Sequence, residues 1–247
     1  MILTRLLIAT GLALTVTATS AAEKNNDNAQ ITQLLQSRLG NVEVGEPRET
    51  PIDGIFQTQF GNKFAYLTAD GRYVFVGDLI DLQSQTNLTE ISRRGLAKQQ
   101  LEQLSPEDLV VYPAVDETKT FINVFTDTSC QYCQKLHREV PELQKAGIEV
   151  RYIPFPRGGA RGPGYQALKQ VWCGEDKTKT MDIAKGVASG ELPAAGCSQA
   201  SFVDQGYVVG SQVGISGTPA IFTESGQKLD GYVPYQQLIP MLLSPGS

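Results

Sequence analysis

The sequence predicts a two-part α/β chain. A small strand-rich α+β block comes first, then a polar linking helix, then a larger α/β domain carrying a helical insertion. Three observations predict it. Ile55–Phe60, Phe64–Thr68 and Tyr73–Val76 are short apolar or alternating runs punctuated by turn residues. Asn87–Leu104 is mostly polar with a thin apolar stripe. From Leu109 onward an apolar strand, a helix and a second apolar strand follow one another, which is a βαβ unit with a parallel pair.

Length and composition bound the rest. The chain has 247 residues, 41% of them hydrophobic, enough for one or two packed domains. Its net charge of −5, from 21 Lys+Arg against 26 Asp+Glu, lacks the basic footprint that nucleic-acid binding needs. A single His excludes His-rich metal sites and two-His mechanisms. Met1–Arg5 carries one positive charge, Leu6–Val16 is mostly apolar, and Ala18-Thr19-Ser20-Ala21-Ala22 is small. That is the three-part layout of a secretory signal spanning residues 1–22, cut after Ala22. The apolar run is too short for a membrane anchor. Export implies an oxidising compartment, so the four cysteines are read first as redox groups or staples.

The mature chain is taken in order. Glu23–Gln30 is polar and frayed. Ile31, Leu34, Leu35 and Leu39 recur at helical spacing, and Gly40 ends that helix. Ile55–Phe60 and Phe64–Thr68 join at Gly61-Asn62-Lys63, and Tyr73–Val76 follows Asp70-Gly71, a dipeptide suited to a turn with φ > 0. This block, residues 23–84, buries too little surface to be stable alone, so it is expected to borrow surface from another chain as a dimerisation domain. Residues 85–108 read as a solvent-exposed linker helix. Asn87 and Glu90 form a capping pair, and Leu88, Ile91, Leu101 and Leu104 give the stripe. Gly95 interrupts it at a cost of about 1 kcal/mol. The alternative is an ordinary amphipathic helix inside one domain. Residues 109–247 form the larger domain. Leu109–Pro113 and Phe121–Phe125 are strands. Ser129–Ala146 is a helix with Cys133, Leu136, Val140 and Leu143 on one side, and Gly147 stops it before the strand Ile148–Ile153. Arg157–Gly210 is the helical insertion. Ala220–Thr223 and Lys228–Tyr232 flank the turn Glu224-Ser225-Gly226, and Pro234–Leu243 is a closing helix.

Four cysteines and one proline carry the chemistry. Cys130-Gln131-Tyr132-Cys133 lies where a strand passes into a helix. At a helix N-terminus free amide N–H groups and the dipole favour a thiolate, so the Cys130 pKa is expected below the free value of about 8.5. Cys133, one turn on, faces the same way from further in and can resolve a mixed disulfide formed by Cys130. Zinc would need two more ligands, from His137, Cys173 and Cys197, none with a second ligand at short spacing. No metal or cofactor is expected. Cys173 and Cys197 are read as a structural disulfide within the insertion, with a second redox couple as the alternative; loop entropy assigns such a bond about 3 kcal/mol. Pro219, in Gly217-Thr218-Pro219, precedes a strand, and composition favours a trans bond there. His137 has two readings: acid–base partner of the thiols, or a surface or boundary residue on the first turns, the second preferred. Trp172 reads as a core aromatic against a disulfide.

The stretch Phe125-Thr126-Asp127-Thr128-Ser129-Cys130-Gln131-Tyr132-Cys133-Gln134-Lys135-Leu136-His137 closely resembles the active-site segment of the DsbC/DsbG family of periplasmic disulfide isomerases. Val150–Arg157, Val171-Trp172-Cys173 and Gly214–Ala220 do so too, as do the Thr-Ala-Asp-Gly turn and the strands before it. The resemblance covers nearly all of the mature chain. It implies an N-terminal dimerisation domain, a linker helix and a thioredoxin-like catalytic domain with a helical insertion. It implies that Cys130 attacks, Cys133 resolves and Cys173–Cys197 is structural. It also implies a cis Pro219 beside the thiols, with Thr218 offering backbone to a substrate chain and Tyr132 among the substrate contacts. The function implied is a periplasmic homodimer that rearranges wrong disulfides in misfolded secreted proteins and is kept reduced by a DsbD-like membrane reductase. A DsbG-like reductase of oxidised single cysteines and a holdase chaperone are the alternatives. Gln131 departs from the Gly usual in the family, a change that bears on reduction potential rather than on mechanism.

Overall fold

The computed structural model describes residues 44–244 together with Thr32, Gln33, Leu35 and Ser37. The expected leader, the polar segment after it and the positions Ile31, Leu34, Leu39 and Gly40 lie outside the described residues. The chain divides into two compact units after Gly77.

The first unit is an antiparallel meander in the order β1-β2-β3-β4: β1 Arg48–Glu49, β2 Ile55–Phe60, β3 Lys63–Thr68 and β4 Val74–Val76. The register runs from Ile55 opposite Thr68 to Phe60 opposite Lys63, so Gly61-Asn62 alone turn the hairpin. Gly71 has φ +62°, the left-handed turn conformation expected after Asp70, and its amide donates to the Thr68 carbonyl at 2.8 Å. The core is small: Leu35 and Leu67 are buried, with Val44, Phe56 and Phe60 packed around them. Among the described residues β4 pairs only with β3, and Val74, Phe75 and Val76 are all exposed.

The second unit opens with the short pair β5 Ile80–Asp81 and β6 Thr86–Asn87. Helix α1, Leu88–Glu102, follows; the Asn87 side chain caps it by accepting from the Glu90 amide at 3.0 Å. The stripe read from sequence needs correcting. Ile91 is 56% exposed, while Ala97, Leu101 and Leu104 are buried in the core of the second unit. The C-terminal half of the helix therefore packs on that core rather than standing clear in solvent. Its first turn is held instead by the buried Thr89 hydroxyl, which accepts from the Leu79 amide at 2.8 Å.

The main sheet has the order β11-β10-β8-β9-β7, from β7 Val110–Tyr112, β8 Thr120–Thr126, β9 Ile148–Pro154, β10 Ala220–Thr223 and β11 Lys228–Asp230. Only β8 and β9 run parallel, joined through α2, Gln131–Lys145; the other pairs are antiparallel. β8 sits at the centre, and Ile122 through Thr126 are all buried, the polar Asn123 and Thr126 among them, as in a strand covered on both faces. α2 buries Cys133, Leu136, His137, Val140 and Leu143. The insertion contributes α3 Tyr165–Trp172, α4 Lys177–Ala184 and α5 Phe202–Gln212, and α6 Tyr235–Leu243 closes the chain.

Candidate active site

The site is built where β8 ends and α2 begins. Asp127, the first residue past β8, is fully buried. Its Oδ1 accepts from the Ser129 amide and hydroxyl, each at 2.8 Å, and its Oδ2 accepts from the Arg157 amide at 2.9 Å and guanidinium Nε at 3.2 Å. Burial pushes this carboxyl up, but those donors together with the Arg157 charge outweigh it and hold it below the usual carboxylate range. Gly164 makes room for the arrangement. A Cβ at that position would lie 1.9 Å from Asp127 Oδ1, so only glycine fits. The loop carrying both cysteines is thus pinned at its root by a buried, ionised anchor.

Cys130 is the N-cap of α2, and its sulfur takes the place of the usual capping oxygen by accepting from the Cys133 amide at 3.4 Å. Its thiol also lies 3.2 Å from the Thr218 carbonyl. Both cysteines are free thiols and both are buried. Their surroundings drive them apart. The Cys133 thiol, donating to Cys130, is the main cause that lowers the Cys130 pKa to about 5; the Thr218 side chain, the Cys133 amide and the Arg157 charge add to it against the cost of burial. Burial raises Cys133, and its role as donor to Cys130 raises it further. At neutral pH the arrangement holds a nucleophilic thiolate at Cys130 and a protonated, deeper thiol at Cys133.

Thr218 and Pro219 lie beside the sulfurs, and the Thr218–Pro219 bond is cis, which corrects the trans bond that composition favours. The cis bond is the one the family resemblance implies; β10 starts at the next residue and pairs Ala220 with Phe125 of the central strand. Tyr132 is 62% exposed and stacks on Tyr232 at 6.2 Å, an aromatic shelf on the rim. Cys173 and Cys197 are bonded to each other, with Cα atoms 5.6 Å apart, and close the end of α3 onto the turn before α5. Trp172 is buried against Phe202, and its indole N–H donates to the Asp108 carbonyl at 2.6 Å.

His137 is not the surface or boundary residue preferred from sequence. It is 3% exposed, with Nδ1 3.1 Å from the Tyr152 hydroxyl and Nε2 3.0 Å from Asp182. Burial lowers its pKa to about 4 despite the Asp182 carboxylate, so it stays neutral. A carboxylate only accepts, which places the ring proton on Nε2 and makes Nδ1 the acceptor from Tyr152. Tyr112 also donates to Asp182, at 2.6 Å. The stripe Cys133, Leu136, His137, Val140, Leu143 is the signal that puts this ring on the buried face; its partners, on β7, β9 and α4, are too remote in sequence to be read.

The fold and site define a thiol:disulfide interchange protein of thioredoxin-like architecture. Residues 106–244 match the family of thioredoxin-like domains, and residues 18–90 match the disulfide bond isomerase protein N-terminal domain. The chain is 36% identical over 206 residues to thiol:disulfide interchange protein DsbC of Salmonella typhimurium, with 83% of each chain covered. It is 34% identical to DsbC of Escherichia coli K12, covering 86% of each, and 34% identical to DsbC of Pasteurella multocida, covering 88% of this chain and 91% of that one. The chain belongs to the DsbC family.

Proposed function

We propose that this protein is a periplasmic, homodimeric disulfide isomerase. Cys130 attacks a wrong disulfide in a misfolded secreted protein: a bond forms between Cys130 and one substrate sulfur, and the other substrate cysteine leaves as a thiolate. A substrate thiolate, either that one or one it displaces from another substrate disulfide, then attacks the substrate sulfur of the mixed disulfide; a new substrate disulfide forms, the Cys130–substrate bond breaks and Cys130 leaves as a thiolate. Alternatively Cys133 displaces the substrate, which leaves Cys130–Cys133 oxidised and in need of two electrons from a DsbD-like membrane reductase. The observation that carries this reading is the split between the two thiols, one lowered to about 5 and one raised. Thr218 and Pro219, with the Tyr132 shelf, are the surfaces assigned to the substrate chain. The homodimer reading rests on β4, whose free edge carries the exposed Val74, Phe75 and Val76 and is the kind of edge that a second copy covers. Reactivation of scrambled ribonuclease tests the whole: the mature chain should restore activity, Cys130→Ser should not, and a chain beginning at Asp78 should sediment as a monomer, react at Cys130, and isomerise poorly. Full reactivation by Cys130→Ser would show a holdase instead.

A further inference from the structure

Lys185, which caps the C-terminal end of α4, is a buried charge that this reading leaves without a role. It is 1% exposed, and its ammonium donates to Thr126 Oγ1 at 2.7 Å and to the Asp127 carbonyl at 2.8 Å, both at the strand end that leads into Cys130. Both acceptors are neutral. Among the described residues no ion pair includes Lys185, and the Asp127 carboxylate is already held by Arg157 and Ser129. Burying an ammonium with only neutral partners is costly, and an apolar side chain would fill the same space without that cost. The Asp127 carbonyl that Lys185 holds also accepts from the Cys130 amide at 3.2 Å, which links the ammonium to the thiol loop, and the Lys185 charge acts on Cys133 and on Cys130.

We propose that Lys185 is a positioning residue for the resolving step: its buried ammonium is the counter-ion that holds negative charge on Cys133 while Cys133 displaces the substrate from Cys130. This rests on the exchange reading above. Cys133 gives up its proton and its sulfur attacks the Cys130 sulfur. The Cys130–substrate bond breaks, the Cys130–Cys133 bond forms, and the electron pair leaves on the substrate sulfur, which takes up a proton. Cys133 is oxidised and the substrate cysteine reduced, with no outside reagent. The groups that face Lys185 are consistent with the role. Burial lowers its pKa to about 8, Cys133, Asp127 and Cys130 pull the other way, and Arg157 opposes its charge. His137, close enough to feel that charge, is neutral. Lys185 therefore carries its charge through neutral pH and loses it above about pH 8.

The test uses the full mature chain and 5,5′-dithiobis(2-nitrobenzoate) in stopped flow. Release of the first thionitrobenzoate reports attack by Cys130, and release of the second reports resolution by Cys133. Lys185→Gln keeps a hydrogen-bond donor without the charge, and Lys185→Met keeps neither. Both should slow the second phase by about threefold or more, since a one-unit rise in the Cys133 pKa cuts its thiolate about tenfold and the greater basicity returns part of that, and leave the first phase in place. Slowing in Lys185→Met alone, or in neither, overturns the proposal while the exchange reading stands. Absence of the first phase in the unmutated chain would overturn the exchange reading itself, and this proposal with it. Should neither variant fold, lysine ¹³Cε NMR on the unmutated chain decides. The Lys185 midpoint should fall by about half a pH unit or more on oxidation of Cys130–Cys133, when the sulfur charge is removed. An unchanged midpoint overturns the proposal.

Discussion

Cys130 and Cys133 begin α2, whereas Cys173 and Cys197 close the end of α3 onto the turn before α5. All four belong to one unit, yet the two regions treat sulfur differently. At the start of α2, backbone donors, the Arg157 charge and a neighbouring thiol converge on Cys130. In the insertion the sulfurs are joined to each other and clamp a loop 24 residues apart in sequence. Sequence separation decides what each bond does. A bond across three residues of a helix start would constrain the unfolded chain little, as the proposed exchange requires, whereas the Cys173–Cys197 bond closes a long loop and constrains it more.

The comparison can be broken most sharply at Cys130. Cys130→Ser should lower thiol exchange with a disulfide substrate by about three orders of magnitude or more, since the remaining thiol is protonated and buried. Retained exchange, measured with a fluorescent disulfide peptide, would place the nucleophile elsewhere. Next in size is the contrast within the pair. At pH 6 Cys130, with its pKa near 5, is almost all thiolate. An unperturbed thiol would be ionised to less than about 1%, though the lower intrinsic reactivity of an acidic thiolate takes back part of that advantage. Iodoacetamide should still label Cys130 about tenfold faster than Cys133; equal rates by peptide mapping would remove the asymmetry. The other bond is tested by its contribution to stability. Replacing Cys173 and Cys197 by Ala should cost about 3 kcal/mol in urea unfolding and leave Cys130 labelling unchanged. A change in labelling would mean that the two regions are coupled. A further effect is a pH window in the reduced protein. The Cys130 pKa is lowered on folding, so its contribution to stability is complete above the unfolded thiol range, about 8.5, and is lost as pH falls through about 5. Relative to Cys130→Ala, the reduced chain should lose its margin across that window. A constant difference would show that the thiolate is not favoured by the fold.

Much of this was legible in sequence because it depends on near neighbours. The Asp70-Gly71 turn, the central strand of β8 and the buried stripe of α2 follow from local conformation and periodicity, and a CxxC placed after an apolar strand falls at a helix start. What escaped reading is set by contacts across the fold. Ile91 and Ala97 exchange places because only the C-terminal half of α1 meets the core. Asp127 is recognisable as an anchor only once Arg157 and Gly164 stand beside it. Lys185 looks like any surface lysine of a polar insertion until α4 folds it against the end of β8.

The burial of His137 makes the proton a ligand of the unfolded chain. Free in an unfolded ensemble, an imidazole accepts a proton below about pH 6.5; folded between Tyr152 and Asp182, this one refuses it until about pH 4. Between those limits acid binds the open chain and not the closed one, and mass action draws the population toward unfolding. With one histidine in 247 residues, that acid lability is concentrated on the face of the helix that carries the thiols.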